Sequence, residues 1–400
     1  MFESSLNPPK SKLDWQMLVA VAGLMLVGAA FIHSAKPGGE ETAWYNLTAF
    51  RQVVWFVVGT VAAVVVMAID YRLLARWSMV LYWLTILLLV AVLIPGIGQT
   101  HGWGARRWID IGPFGLQPSE FAKLSCILLM SHHLGRSREE LLSLPVFLQS
   151  LGLMLLPFVL ILKEPDLGSA LVILPVGLVM MFVAGVSRRY LGRMVGGVGL
   201  VVVLLVVDVV FAPPGWRLVK LEDYQRRRLL VYFGRDFSAD KKTEAEKRAA
   251  RLEQKNYSYN VDQAMISVGS GGIWGKGWGQ GQQISLGYLP RGVSHNDFIF
   301  SVIAEEKGFL GSMVVVTLYS VVLFCGIRVA GLARDRLGQL LAAGVVTMLF
   351  THVFVNIGMN IRLMPVTGIP LPLLSYGGSS VLCSMIAIGI LQNVYLHHRE

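Results

Sequence analysis

Apolar residues in this chain come in long runs separated by short polar punctuation, not in the alternations or narrow stripes of a water-soluble domain. Runs of about 17 to 25 mostly apolar residues, the length that crosses a bilayer as a helix, occur at 15–34, 53–69, 79–94, 119–134, 145–162, 168–186, 194–212, 298–327, 339–358 and 377–396. A hydrocarbon interior offers no water to backbone N–H and C=O groups, and no alternating ten-residue pattern signals a barrel, so the runs are predicted to be helices. The fourth is the most polar, with Glu120, Lys123, His132 and His133. The first follows Pro8, Pro9, Lys10 and Lys12 without a small-residue cleavage site, and reads as a retained helix. The expected fold is an all-α integral membrane protein: one polytopic domain over 1–400 with ten transmembrane helices.

Basic residues orient the bundle. With the N-terminus inside, the segments on that side hold Lys10, Lys12, Arg72, Arg76, Arg136, Arg138, Arg188, Arg189, Arg193, Arg328, Arg334, Arg336 and Arg399, thirteen in all. The opposite short loops hold six: Lys36, Arg51, Arg106, Arg107, Lys163 and Arg362. The positive-inside bias therefore predicts that both termini are cytoplasmic. Segment 213–296, between the seventh and eighth helices, carries fourteen Lys/Arg against eight Asp/Glu, but loops longer than about 60 residues cross largely regardless of charge, so it is expected outside. Its surplus of six supplies most of the net charge of +10. Composition agrees with the hydropathy pattern: 54% of the 400 residues are hydrophobic and 15% charged, where soluble domains average about 25% charged. Cys126, Cys325 and Cys383 sit in separate apolar runs and outline neither a disulfide nor a metal framework.

The 213–296 loop has room for extramembrane structure. Pro213-Pro214-Gly215-Trp216 closes the seventh helix, and Tyr224 to Arg228 follow. A stretch rich in Ala, Lys and Glu from Ser238 to Lys255, with a capping box at Thr243 and Glu246 and an i,i+4 pair Glu244/Arg248, reads as a solvated helix. The glycine-rich segment 269–281 resembles a nucleotide loop only superficially. Ser270 stands where the first glycine of the phosphate-loop pattern belongs, and Gly277 follows Lys276 where Ser or Thr is required. A tightly turning loop with Trp274 and Trp278 near a membrane surface is the better account.

Charged groups at membrane depth need a reason, since each costs roughly 2.5 to 3.5 kcal/mol at a helix centre. Glu120 and Lys123 lie three apart on one helix face, as an ion pair or as the lining of a substrate cavity. Asp208, near the outer end of the seventh helix, reaches interfacial water, and His352 and Asn356 serve interhelical hydrogen bonds. The predicted outer surface gathers Trp103, Arg106, Arg107, Trp108 and Asp110, then Glu164 and Asp166, then His295, Asp297, Glu305 and Glu306, and finally Arg362 with segment 370–380. Carboxylates and arginines from four loops on one face point to an extracytoplasmic site for an anionic ligand.

Several stretches have a familiar form. They are Trp108-Ile-Asp-Ile-Gly-Pro-Phe-Gly-Leu-Gln-Pro-Ser-Glu-Phe-Ala-Lys123, Lys163-Glu-Pro-Asp-Leu-Gly-Ser-Ala170, Val268 to Trp278, His295-Asn-Asp-Phe-Ile-Phe-Ser-Val-Ile-Ala-Glu-Glu306 and Met364 to Ser380. In that order they resemble the SEDS family of bacterial shape, elongation, division and sporulation proteins, of the RodA type. Pro-Val-Thr-Gly-Ile-Pro at 365–370 is closer in form to the elongation branch. The resemblance implies a peptidoglycan glycosyltransferase of the bacterial cytoplasmic (inner) membrane that polymerises lipid II at the outer face. It implies that Asp297 is catalytic, and that a class B penicillin-binding protein and other membrane proteins of the elongation complex are partners. Asn296, Lys307 and the charged insert near 238–256 depart from the family pattern.

The chemistry implied is economical. An α-linked undecaprenyl diphosphate and a β-1,4 product are related by one inverting displacement, so a single general base, Asp297, suffices to deprotonate the acceptor hydroxyl. The departing diphosphate needs positive charge: Arg106 and Arg107, Lys123, or a divalent cation, Mg²⁺ or Mn²⁺. Glu120, Lys123, Asp166, His295, Ser375 and Ser379 complete the expected substrate-binding set. No nucleic-acid partner is expected. Two rival readings remain, a flippase or transporter of lipid-linked precursor and a non-catalytic scaffold for the crosslinking partner.

Overall fold

All ten apolar runs fold as helices in the computed structural model, which describes residues 13–35, 48–100, 106–112, 114–211, 223–234, 237, 243–289 and 294–398. In chain order the elements are α1 (Trp15–Ala35), α2 (Thr48–Ala68), α3 (Tyr71–Arg76), α4 (Ser78–Leu93), β1 (Gly98–Gln99), β2 (Trp108–Ile111), β3 (Phe114–Leu116) and α5 (Pro118–Leu134). Then follow α6 (Arg138–Leu141), α7 (Leu144–Lys163), α8 (Leu167–Ala184), α9 (Arg188–Phe211), α10 (Asp223–Tyr232), α11 (Glu244–Ser270), α12 (Gln282–Ser285), α13 (Ile299–Leu332), α14 (Arg336–Asn360) and α15 (Gly378–Leu396). Eight of these, α1, α2, α7, α8, α9, α13, α14 and α15, are long and apolar enough to cross a bilayer. The apolar α4 is shorter, at 16 residues. The polar α5 has 17, buried along nearly their whole length.

Short capped turns join the helices. Asp70, Asp166 and Asp335 each accept a backbone N–H at the start of α3, α8 and α14, which offers an acceptor to donors that the helix itself leaves unpaired. Gly185 ends α8 in the left-handed conformation (φ 83°) that a side chain would strain. Tightly packed pairs are α2 with α15, α13 with α14, α1 with α13, α8 with α14 and α4 with α5. At its core lie α5, α14 and α15, whose buried faces carry the polar residues that sequence reading singled out.

The turns gather at two ends of the bundle. At one end Asp14 pairs with Arg328 (2.6 Å), Tyr71 N–H reaches Asn393, Arg72 pairs with Asp335 (3.0 Å), and Arg336 donates to the Arg136 carbonyl (3.1 Å). The other end holds the antiparallel hairpin sheet β1-β2-β3, the α7–α8 turn, segment 361–377 and the described parts of 213–296. Arg362 pairs there with Asp262 (3.1 Å), and the Tyr232 hydroxyl donates to the Leu363 carbonyl.

Two expectations change. The eighth run is not one helix over 298–327: α13 extends to Leu332 and is broken at Gly308 (φ 63°, ψ −157°). The glycine-rich segment closes that break. Carbonyls of Glu305 and Glu306, released from the helix, accept from the N–H groups of Lys276 and Gly277, each at 3.0 Å, while Phe309 and Leu310 N–H reach the Gly272 and Ile273 carbonyls. Asp208 is buried rather than open to the interface. The readings placed on Lys10, Lys12, Lys36, Trp103, Pro213 to Trp216, 238–242 and Arg399, and on the side chains of Tyr224, Gln225, Arg227, Arg228, Arg138, Glu244 and Glu246, lie outside the described residues.

Candidate active site

Asp297 sits one residue before the turn that starts α13, and its backbone carbonyl is gripped twice from α14. Asn356 Nδ2 donates to it at 3.0 Å and Asn360 Nδ2 at 3.1 Å. The same Asn356 amide donates to the Ile369 carbonyl at 2.7 Å, and Asn360 Oδ1 accepts from the Ser301 hydroxyl at 2.5 Å. One rung of α14 thus fixes both the start of α13 and the 366–370 segment beside it. The carboxylate is half-buried. Its Oδ2 lies 3.6 Å from where a Cβ on Gly368 would stand, so the missing side chain leaves open the space over the acid.

Around it the loops interlock. Ser375 Oγ donates to the Asn296 carbonyl (2.6 Å) and accepts from Leu371 N–H (2.8 Å), and its own carbonyl accepts from Gln52 Nε2 (3.2 Å). The buried His295 lies with its ring 5.5 Å from that of Tyr376, whose N–H donates to the His295 carbonyl. Ser379 Oγ donates to the Gly115 carbonyl and accepts from Gln117 N–H, both at 3.1 Å. These hydroxyls and this ring hold the loops that present Asp297.

The second group starts from Asp166. Its Oδ1 accepts from Ser169 N–H (3.1 Å), and its Oδ2 from Gln117 Nε2 (3.0 Å) and the Ser119 hydroxyl (3.2 Å). A Cβ on Gly168 would come 2.9 Å from the Thr367 carbonyl and 2.6 Å from Ile369 Cγ1, so the start of α8 packs directly on the segment that borders Asp297. Next to Asp166, Glu164 is fully buried with no hydrogen-bond partner on either oxygen among the described residues. Burial, with the Asp166 charge adding, pushes its carboxyl up to about 9 against the opposing pull of Arg107.

The two neighbouring arginines part company. Arg107 is half-buried and donates to the Pro165 carbonyl, while Arg106 is exposed and makes no hydrogen bond or ion pair with the described residues. A turn deeper, Lys123 Nζ donates to Glu120 Oε1 (2.6 Å) and lies 2.9 Å from His352 Nε2, all three side chains buried. The ion pair anticipated from the i,i+3 spacing is present, and it is extended by a histidine from α14. Both remaining glutamates are engaged by the segment 276–283 and α1. Glu305 Oε1 accepts from Lys276 Nζ (2.7 Å) and from Gln282 and Gln283 N–H, and Glu306 accepts from Gly279 N–H (3.0 Å) and the Ser34 hydroxyl.

Sequence reading missed Asn360 and the isolation of Glu164. The i,i+4 spacing of Asn356 and Asn360 on an apolar helix was the available sign of the first. Nothing local foretold the second, which depends on where two loops meet. No group of three or more His, Cys, Asp or Glu side chains that could hold a metal ion occurs among the described residues.

A model of the cell cycle protein family FTSW_RODA_SPOVE matches residues 14–400. The peptidoglycan glycosyltransferase MrdB of Escherichia coli (strain K12) is 34% identical over 394 residues, covering 98% of this chain and 95% of that protein. The probable peptidoglycan glycosyltransferase FtsW of Geobacter metallireducens is 34% identical, with 96% and 94% covered, and stage V sporulation protein E of Bacillus subtilis 32%, with 98% and 100% covered. Among solved structures, a chain of a peptidoglycan synthase complex that coordinates polymerization and crosslinking matches with a TM-score of 0.73 at 29% identity, covering 97% of this chain and 98% of that one. The rod shape determining protein RodA of Thermus thermophilus matches with a TM-score of 0.65 at 27% identity, covering 97% of each chain.

Proposed function

The chain belongs to the FTSW_RODA_SPOVE family of cell cycle proteins, and from that premise we propose that it is a peptidoglycan glycosyltransferase. It polymerises lipid II into β-1,4 glycan strands at the outer face of the bacterial cytoplasmic membrane during cell elongation. Ten helices span the bilayer in this reading, α4 and α5 included, with both termini cytoplasmic and segment 213–296 outside. The alternation of helix ends and the basic bias of one set of loops support that arrangement.

One observation carries the assignment of Asp297 as the base: a half-buried carboxylate beside a side-chain-free Gly368, on a backbone held by two asparagines. The acceptor hydroxyl approaches over Gly368, and Asp297 takes its proton as the oxygen attacks the anomeric carbon of the donor sugar. Undecaprenyl diphosphate leaves from the opposite face and configuration inverts, so no covalent enzyme intermediate is needed. Pre-positioning the carboxylate by its backbone keeps the geometry without reorganisation during reaction.

Asp166 and the Glu120–Lys123–His352 group support the walls of the substrate cavity, since their polar atoms are engaged with each other and with neighbouring loops. His295, Ser375 and Ser379 position the loops. Arg106 is the cation with donors to spare, and it meets the diphosphate, while Arg107 steadies the α7–α8 turn. A divalent cation, Mg²⁺ or Mn²⁺, stays in this reading as a further source of positive charge for the leaving group, since Mg²⁺ needs only one or two carboxylates beside substrate phosphates. Arg106 supplies the chain's own share of that charge. A class B penicillin-binding protein is the proposed partner, supported by the match to a chain of a synthase complex.

Purified wild-type protein with lipid II yields a ladder of glycan strands on a gel, and Asp297→Asn yields none while keeping its elution volume and melting temperature. A ladder of normal intensity from that variant would remove Asp297 from the chemistry. Translocation of the lipid by wild type in liposomes without any polymer would instead support a flippase.

A further inference from the structure

A cavity of about 570 Å³ opens at the bundle end opposite Asp297, between the α8–α9 turn and the first residue of α14. We propose that it binds the phosphodiester headgroup of an anionic phospholipid. Three arginines line it, Arg188, Arg189 and Arg336, and no acidic residue does. Arg336 is fixed in place by bonds to the Arg136 carbonyl (3.1 Å) and the Ala184 carbonyl. Arg188 and Arg189 are exposed and make no hydrogen bond or ion pair with the described residues. Of the acidic groups at this end, Glu140 lies 3.8 Å from Arg136, Asp335 pairs with Arg72 and caps α14, and Glu139 is exposed outside the cavity lining. The lining is therefore positive with no acidic residue among it, and guanidinium suits phosphate oxygens by geometry as well as charge.

Location selects a lipid as the source of that phosphate. Only Gly185, Val186 and Ser187 separate α8 from α9, both of membrane-spanning length, so the cavity lies at the membrane surface whichever side it faces. Its wall continues into the exposed side chains of Leu142 and Phe182, an apolar path for acyl chains below a charged mouth. A basic pocket between helix ends at the interface is the arrangement that favours anionic headgroups, with each arginine contributing about fivefold in affinity.

The test uses the purified full-length protein in neutral detergent, titrated with dioleoylphosphatidylglycerol, with net-neutral dioleoylphosphatidylcholine and with inorganic phosphate, bound lipid being counted by native mass spectrometry. Wild type is expected to prefer phosphatidylglycerol to phosphatidylcholine by about thirtyfold, the worth of two arginines, with no competition from millimolar phosphate. The R188Q/R189Q variant drops to a preference of a few-fold at most, and R76Q, which removes an exposed arginine at the same end of the bundle, keeps the full preference. Equal retention of the two lipids by wild type overturns the proposal, as does an unchanged preference in the double variant or an equal loss in R76Q. Displacement of phosphatidylglycerol by inorganic phosphate would reassign the cavity to soluble anions.

Discussion

Glu164 shows how a single residue can hold charge chemistry in reserve. Its two oxygens have no donor among the described residues, and its carboxyl is pushed up to about 9 by burial first and Asp166 second. Since the folded chain then holds a proton that the unfolded chain, near 4.5, has released, this group's contribution to stability falls as pH rises from about 4.5 to about 9. Melting curves between pH 5 and pH 9 should therefore drop more steeply for wild type than for Glu164→Gln, which keeps the shape and cannot ionise. Parallel curves would show that the carboxyl does not titrate in this window. Asn356 is the second residue whose role can be measured. Asn356→Leu removes the donor shared by the Asp297 and Ile369 carbonyls, with an expected stability loss of about 1–3 kcal/mol. A fall in kcat larger than any change in KM would mark the displacement of Asp297, and an unaltered rate would deny the clamp. Sequence alone disclosed that Asp297, Asp166 and Lys123 were worth attention, because charge in an apolar chain needs explanation. It could not disclose which of them was already occupied, since that depends on partners 40 to 230 residues away, such as His352 for Lys123 and Gln117 for Asp166.

Among the elements, α13 departs furthest from its hydropathy pattern. The run from 298 is apolar enough to read as one continuous helix, yet it divides at Gly308 into a short leading piece that carries Ser301, Glu305 and Glu306 and a long spanning piece beyond. The backbone at Gly308 is open only to glycine, and an added Cβ would run into Gly275 and Ile273. Gly308→Ala is accordingly expected to cost more than about 3 kcal/mol and to release segment 271–281, seen as a lower melting temperature and faster proteolysis after Lys276. Wild-type proteolysis in that variant would mean that the glycine-rich segment is held without the break. Helices α8 and α14 were legible in their apolar length, which is a local signal, whereas Asp166 and Asp335 emerge as their caps only in the fold. The docking of 271–281 onto α13 was not, because it consists of backbone hydrogen bonds that no side-chain pattern encodes.

For the whole molecule, chain direction alternates from one apolar run to the next, which brings Asp14 and Gln392 together at one end (3.1 Å) and sets Asp297 at the other. The arrangement makes a clear prediction about sidedness. Cys126, Cys325 and Cys383 are buried, so cysteines introduced at the exposed Tyr288 and Arg76 are the ones a membrane-impermeant maleimide can reach. In intact spheroplasts Tyr288→Cys should label and Arg76→Cys should not. The reverse pattern would turn the molecule over and place Asp297 in the cytoplasm, where lipid-linked donors in the outer leaflet could not reach it.

The least accompanied helix in the bundle is α9, whose span is almost entirely unburied. With 24 residues it is about 36 Å long, several ångströms more than a typical hydrocarbon layer of about 30 Å. Its protein contacts gather near its two ends, with Tyr190 stacked on Phe147 at one and α10 alongside the other, so a thin bilayer must lean its unaccompanied middle over further than a thick one. Its far end leads into α10, against which it packs, and Tyr232 of α10 is tied to Leu363 beside the Asp297 loops. Acyl-chain length thereby becomes a variable that the loops around Asp297 can feel, delivered through a helix that the rest of the protein holds mainly near its ends.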